Sequence, residues 1–185
     1  MTTSLVRTRP AGPADVDTVQ ALHDRCSPDA LHRRFHVPMA RVPRRVVEQL
    51  VSPRRGWSVV AEQCDHVVGH GCAGELSAHV VEVGLIVEDA QQGRGIGARL
   101  LRDLAAEASA RGYRRLICLA EADNDQVLRT VRRAGLEAHP VLSDGLLDRG
   151  ATAGRTDRSA RRLRCERRVV STCVCNTGFV VVFGQ

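Results

Sequence analysis

Residues 80–101 read VVEVGLIVEDAQQGRGIGARLL. A nearly unbroken apolar run, Val80 to Val87, ends in the polar segment from Glu88 to Gln92. Glycines follow at 93, 95 and 97. Leu100, Leu101, Leu104, Ala105 and Ala108 then recur at helical spacing. The apolar run suits a strand covered on both faces. The leucine period predicts an amphipathic helix from Ile96 to near Gly112. Strand, glycine turn and helix together build an anion site. The free N–H groups of the first helical turn point out of its N-terminus, and the helix dipole adds to their positive potential. Glycines at 93, 95 and 97 would let a phosphate approach the backbone, and Arg94 and Arg99 can add charge. A turn that merely packs a helix on a sheet uses the same residues, so the glycines alone leave both readings open.

Two common phosphate motifs do not fit. A P-loop needs Gly-Lys-Ser/Thr, and the chain contains no lysine. A dinucleotide fold puts its fingerprint in the first strand–helix unit, whereas these glycines come half-way along the chain.

Outward from the turn, the pattern is consistently α/β. A short strand at Leu5–Arg9 precedes a helix opened by Ala14 or Asp15. Ser27–Pro28 reads as a cap followed by a first helical residue, and Pro43 starts a further helix. Trp57–Ala61 and Val67–Leu76 form a hairpin about the turn from Gln63 to His66, with Gly69, Gly71 and Gly74 weakening or bending the return strand. Arg115–Ala120 is another buried strand, and Asn124 opens a helix closed by Gly135. Helices packed on a mixed sheet are expected.

The segment Gln92–Gly93–Arg94–Gly95–Ile96–Gly97 resembles the Gln/Arg-x-x-Gly-x-Gly/Ala motif of the GCN5-related N-acetyltransferase (GNAT) family. The resemblance runs from about residue 5 to 145. It takes in a β-bulged strand from Glu82 to Val87 and the stretch from Asn124 to Leu136. Ser27–Phe35 and the Asn124 helix look most like the acetyltransferase domain of bacterial protein-lysine acetyltransferases. The resemblance implies a GNAT-like acyl-CoA N-acyltransferase fold and acetyl-CoA as acyl donor. The diphosphate would sit on the turn made by Gln92, Gly93, Arg94, Gly95, Ile96, Gly97 and Ala98. The pantetheine arm would pair with the backbone of Leu85, Ile86 and Val87, whose exposed edge suits an amide-bearing chain. Asn124 matches a position close to the pantetheine, and equally suits a helix N-cap.

The implied reaction is direct attack of a primary amine, on a protein lysine or a small molecule, with the Val87 amide as oxyanion donor. Glu82, the one charged residue inside its strand, is the candidate base; the other reading is a strand-start glutamate paired with an arginine. His70 and Glu75 are weaker candidates. Family members often place a tyrosine in the helix after the Asn as general acid. Here that region reads Thr130–Val131–Arg132, and the only tyrosine, Tyr113, reads as packing.

The 185 residues, 43% of them hydrophobic, suit one globular core. No apolar run is long enough for a membrane helix, and a cytoplasmic location is expected. The seven cysteines are odd in number and irregular in spacing, so neither a disulfide framework nor a zinc site at Cys173-x-Cys175 is expected; Cys72 and Cys118 read as core residues. The net charge of +6 lies entirely within residues 149–168, which hold eight arginines against Asp157 and Glu166. This leaves an N-acetyltransferase domain at 1–147 and an Arg-rich tail at 148–185, foreign to the family pattern, ending in a β-prone cluster from Phe179 to Phe183. A non-catalytic acyl-CoA sensor, and a nucleic-acid binder acting through the arginines, are the competing readings.

Overall fold

The structure is a computed structural model that describes residues 5–121, 124–137, 139–142 and 177–182. In chain order the elements are β1 (Arg7–Pro10), a 3₁₀ turn (Pro13–Asp15), α1 (Val16–Arg25), α2 (Pro28–Phe35), α3 (Arg44–Val51), β2 (Gly56–Gln63) and β3 (His66–Ser77). There follow β4 (Val80–Val87), a second 3₁₀ turn (Asp89–Gln91), α4 (Ile96–Ala110), β5 (Arg115–Ala120), α5 (Asp125–Arg133), β6 (His139–Leu142) and β7 (Thr177–Val182). The strands form one mixed sheet in the order β1-β2-β3-β4-β5-β7-β6. Neighbours are antiparallel except β4 and β5, which run parallel and are joined by the α4 crossover. The expected mixed α/β architecture is thus present.

Each face of the sheet has its own apolar layer. Leu100, Leu104, Ala105 and Ala108 of α4 pack with Val81, Val83 and Leu116 on one face. Val19, Leu22, Leu31, Val47 and Val51 of α1 to α3 pack with Val60, Val67 and Ile86 on the other. A fully buried leucine contributes about 2–3 kcal/mol relative to exposure, so both layers are needed to hold β4 between them. Gly69 and Gly71 serve this packing. A Cβ at 69 would stand 3.1 Å from Leu100 Cδ1, and one at 71 would stand 2.9 Å from Leu104 Cδ1. The β2–β3 turn uses Cys64 (φ 49) and Asp65 (φ 61), left-handed residues suited to a two-residue hairpin.

The bulge expected between Glu82 and Val87 lies elsewhere. The register of β4 on β3 is continuous from Val81 opposite Glu75 to Val87 opposite Gly69, and the shift falls between Glu75 and Ser77 of β3. Leu76 is the extra residue there, next to the tight connection into β4.

The β-prone C-terminal cluster does form a strand. β7 inserts between β5 and β6, with Phe179 opposite Cys118 and Pro140. The boundary expected at residues 147/148, the turn at Ser143–Gly145, the arginine-rich stretch and Cys173-x-Cys175 lie outside the described residues.

His70, weighed as a base, is instead a core residue. Its side chain is fully buried, with Nε2 2.7 Å from Ser58 Oγ and its ring 6.1 Å from that of His23. Burial holds His70 well below the usual imidazole value and takes His23 down to about 4. Tyr113 is packing, as expected: its ring lies 5.8 Å from Trp57, and its hydroxyl donates to Glu75 at 3.0 Å.

Two expectations follow. Ending the chain at Leu147 removes β7, strips β5 of its antiparallel neighbour and leaves β6 without a partner; Tm should fall by about 10 °C or more, and an unchanged Tm would contradict the pairing. The two histidines give an acid limit. Both are neutral in the fold, while an unfolded histidine takes up its proton near pH ~6.5. Their contribution is therefore fully present above that value and is lost as pH falls toward the folded value of about 4 for His23. Tm measured at pH 5 should lie about 5–10 °C below that at pH 7.5; a flat profile would contradict it.

Candidate functional site

The parallel pairing of β4 with β5 is short. It runs from Val80 opposite Arg115 to Val83 opposite Cys118, then stops, although both strands continue. Beyond Gly84 the strands separate and a cleft of about 390 Å³ opens between them. Its walls come from β4, the glycine turn, the start of α4, the end of β5, α5 and α2.

Ladder alternation decides which backbone groups face this cleft. Glu88 N–H donates to Val68 C=O at 3.0 Å, a hydrogen-bonded position in register with the β3–β4 ladder. Antiparallel pairs alternate, so Ile86 and Gly84 also direct their backbone groups toward β3. Leu85 and Val87 direct theirs away from β3, into the cleft. All three expected edge residues line the cleft, but only Leu85 and Val87 turn their backbone groups into it, while those of Ile86 are spent on β3. The carbonyl of Val87 accepts from Gln92 Nε2 at 3.0 Å, and Gln126 Nε2 lies 3.4 Å from Gln92 Oε1. Gln92 is thus a brace between strand end, turn and α5.

The turn needs glycine at two of its three positions. Gly93 (φ 75) and Gly95 (φ 84) are left-handed, and Cβ atoms there would meet nothing within 4 Å. Conformation, not crowding by the protein, excludes side chains. Gly97 is ordinary helical backbone, where a Cβ would stand 3.6 Å from Thr130 Cγ2. Gly95 is the N-cap of α4, with no side-chain cap and no acid in the first turn. The first i→i−4 bond of α4 is Arg99 N–H to Gly95 C=O, at 3.1 Å. The amides of Ile96, Gly97 and Ala98 therefore lie at an open, positively polarised helix end. The walls bring Gly93, Gly95, Ile96, Gly97 and Ala98 together.

The cations differ from expectation. Arg94 bonds Gln91 Oε1 and does not line the cleft. Arg99 donates to Val6 C=O at 2.6 Å, because residue 99 starts the next helical turn and projects toward β1. In their place, Arg129 and Arg133 of α5 line the cleft, and Arg133 Nη1 lies 3.4 Å from Gly93 C=O. Their spacing of four in sequence put them on one face of α5, but nothing in the sequence aimed that face at the turn.

Asn124 also lines the cleft. It occupies the N-cap position of α5 without making a side-chain cap bond. Its Oδ1 is buried with no partner among the described residues, which disfavours the capping role.

At the apex, Glu82 lines the cleft from β4. Its charge acts on Cys72 and Cys118, whose thiols are raised chiefly by burial, Cys118 to about 11. Both are thus protonated at neutral pH and are poor nucleophiles. Cys118, expected in the core, forms part of the wall. Arg34 of α2, not anticipated from the sequence, lies over Gly84 so closely that a Cβ there would collide with the guanidinium. α2 is held in place by its cap. Ser27 Oγ accepts from Ala30 N–H at 3.1 Å, and Asp89, just after β4, accepts from Ser27 N–H at 2.8 Å and Ser27 Oγ at 2.7 Å. Glu75, bonded to Tyr113, is not part of the wall.

Residues 18–136 match the model of the acetyltransferase (GNAT) family, more than half of the chain, and the chain belongs to that family. No curated protein matches. Among solved structures, the GNAT domain of S. lividans PAT is similar at 18% identity and a TM-score of 0.72, over 96% of this chain and 90% of that one. The ribosomal-protein-alanine N-acetyltransferase of Brucella melitensis is similar at 21% identity and a TM-score of 0.64, over 96% and 99%. A phosphinothricin acetyltransferase from Sinorhizobium meliloti, in complex with AcCoA, is similar at 17% identity and a TM-score of 0.61, over 96% and 88%. These likenesses bear out the GNAT fold.

The two kinds of glycine separate by stability. Gly95→Ala forces a Cβ into the left-handed region at a cost of about 1–2 kcal/mol, so Tm should fall by several degrees. Gly97→Ala should move Tm by no more than about 2 °C, since its Cβ makes only an ordinary contact. Equal effects would contradict this division.

Proposed function

We propose that the chain transfers the acetyl group of acetyl-CoA to a primary amine by direct attack, with donor and acceptor meeting at the apex of the β4–β5 cleft. The observation that carries this reading is the pair of cleft-facing strand positions, Leu85 and Val87, leading from the open amide end at Gly95–Ala98. The residues present suit the donor. Left-handed Gly93 and Gly95 leave the turn bare, Ile96, Gly97 and Ala98 offer amides to a diphosphate, and Arg129 and Arg133 add charge. Leu85 and Val87 offer main-chain bonds to the pantetheine amides, and the buried Asn124 Oδ1 is suited to accept from one of their N–H groups.

Acetyl-CoA supplies an activated thioester carbonyl. The amine nitrogen bonds to that carbon, the carbon–sulfur bond breaks, and the amine's surplus proton leaves to a base while the thiolate gains one. We assign the base to Glu82. The oxyanion donor is better assigned to Leu85 N–H than to Val87. Val87 is two residues, about 7 Å, nearer the glycine turn, and Leu85 is nearer Glu82. The protonated thiols of Cys72 and Cys118 disfavour a covalent cysteine intermediate. With Thr130–Val131–Arg132 in the region where many relatives place a tyrosine, protonation of the thiolate is assigned to water.

Glu82→Gln should lower kcat/KM for the amine by about 10²-fold and leave acetyl-CoA affinity unchanged in calorimetry. Its residual rate should rise with pH as the free amine fraction grows. Unaltered turnover would remove Glu82 from the chemistry. Acetyl-CoA binding with no thiol release across proteins and small amines would favour the acyl-CoA sensor instead.

A further inference from the structure

Arg34 is a cation without an obvious reason to be where it is. Seven arginines among the described residues, Arg9, Arg25, Arg33, Arg41, Arg44, Arg55 and Arg111, have a carboxylate within ion-pair distance. Arg34 has none among the described residues. Its Nη2 donates to Cys72 Sγ at 3.3 Å, its guanidinium lies 5.1 Å from the Phe35 ring centroid, and its Nε is buried without a partner. A half-buried guanidinium left in this state carries a desolvation cost that an anion would relieve. It is also positioned: α2 is capped against the end of β4, and the guanidinium rests on Gly84, the first residue beyond the last β4–β5 pair.

Glu82 stands beside it on β4. Val81 and Val83 face α4, while Gly84 and Ile86 face α1 and α2, so Glu82 shares its face with Gly84. A carboxylate and a guanidinium thus stand one strand repeat apart on the acceptor side. That pairing complements a molecule carrying an amine and a carboxylate on one carbon.

We propose that the acceptor is a free α-amino acid, whose carboxylate is bound by Arg34 while its amine faces Glu82. Arg34 is then a specificity-determining residue. This rests on the acetyltransferase reading above and narrows it from primary amines in general to acceptors with a carboxylate beside the reacting nitrogen. A lysine in a peptide lacks that group.

The test pairs acceptors that differ only in charge. Calorimetry first establishes acetyl-CoA binding. Thiol release is then followed with a panel of α-amino acids, their α-amides, and lysine-containing peptides. At least one free amino acid should exceed its amide by about tenfold or more in kcat/KM, the usual scale of a charge-assisted bond. Arg34→Gln should collapse that ratio toward one, and Arg34→Lys should recover part of it. Titration of the same amino acid into the CoA-loaded protein should give binding that Arg34→Gln abolishes, a readout independent of turnover. Retained acetyl-CoA affinity certifies that each variant is folded. A ratio near one in the unaltered protein, an equal fall for acid and amide in Arg34→Gln, preference for a peptide, or acetyl-CoA binding with no amino acid bound or acetylated overturns the proposal. Failure to bind acetyl-CoA overturns the acetyltransferase reading itself.

Discussion

The molecule depends on an interruption. Two parallel strands that pair from Val80 to Val83 part company at Gly84, although β4 runs on to Val87 and β5 to Ala120. Backbone donors and acceptors at Leu85 and Val87 are thereby denied the neighbour they would have in an unbroken sheet. Such groups are costly when buried and unpaired. The fold tolerates them only because they border a cleft. One of them, the Val87 carbonyl, is taken by Gln92, and the rest form a pattern that an extended amide chain can complete.

Everything around the cleft keeps that interruption in place. α4 packs on one face of β4 through Gly69 and Gly71, whose lack of side chains lets Leu100 and Leu104 settle close to the sheet. α1 to α3 cover the other face. At the far edge β7 joins β5 to β6, so β5 has a partner on the side away from β4 and can diverge from β4 without becoming an edge strand. The open amide end of α4 follows directly from β4 through two left-handed glycines. One polarised helix end and one unpaired strand edge thus line a single groove.

Much of this was legible in the sequence, and what was not has a physical reason. β4 and β5 were readable to the residue because eight and six mostly apolar residues bounded by turn signals leave little choice. Ser27–Pro28 and Pro43 marked their helix starts correctly. The glycine turn was recognisable, but the sequence could not say that Gly93 and Gly95 are required by backbone conformation while Gly97 is not. Long polar side chains were the least readable. Arg94 and Arg99 sit in the motif yet point elsewhere, whereas Arg34, Arg129 and Arg133 come from other elements and meet the cleft only after packing. His70 in sequence is one histidine among seven; only the covering α1 layer makes it a neutral core residue.

Amide hydrogen exchange at individual β4 residues, with and without saturating acetyl-CoA, tests the interruption most directly. Leu85 and Val87 should exchange readily in the free protein and become protected on addition of acetyl-CoA, together with Ile96, Gly97 and Ala98, while Ile86 is protected in both states. Protection of Leu85 and Val87 without ligand, or no change at any of these amides on adding it, would contradict a cleft built to take an acyl-CoA as an additional strand.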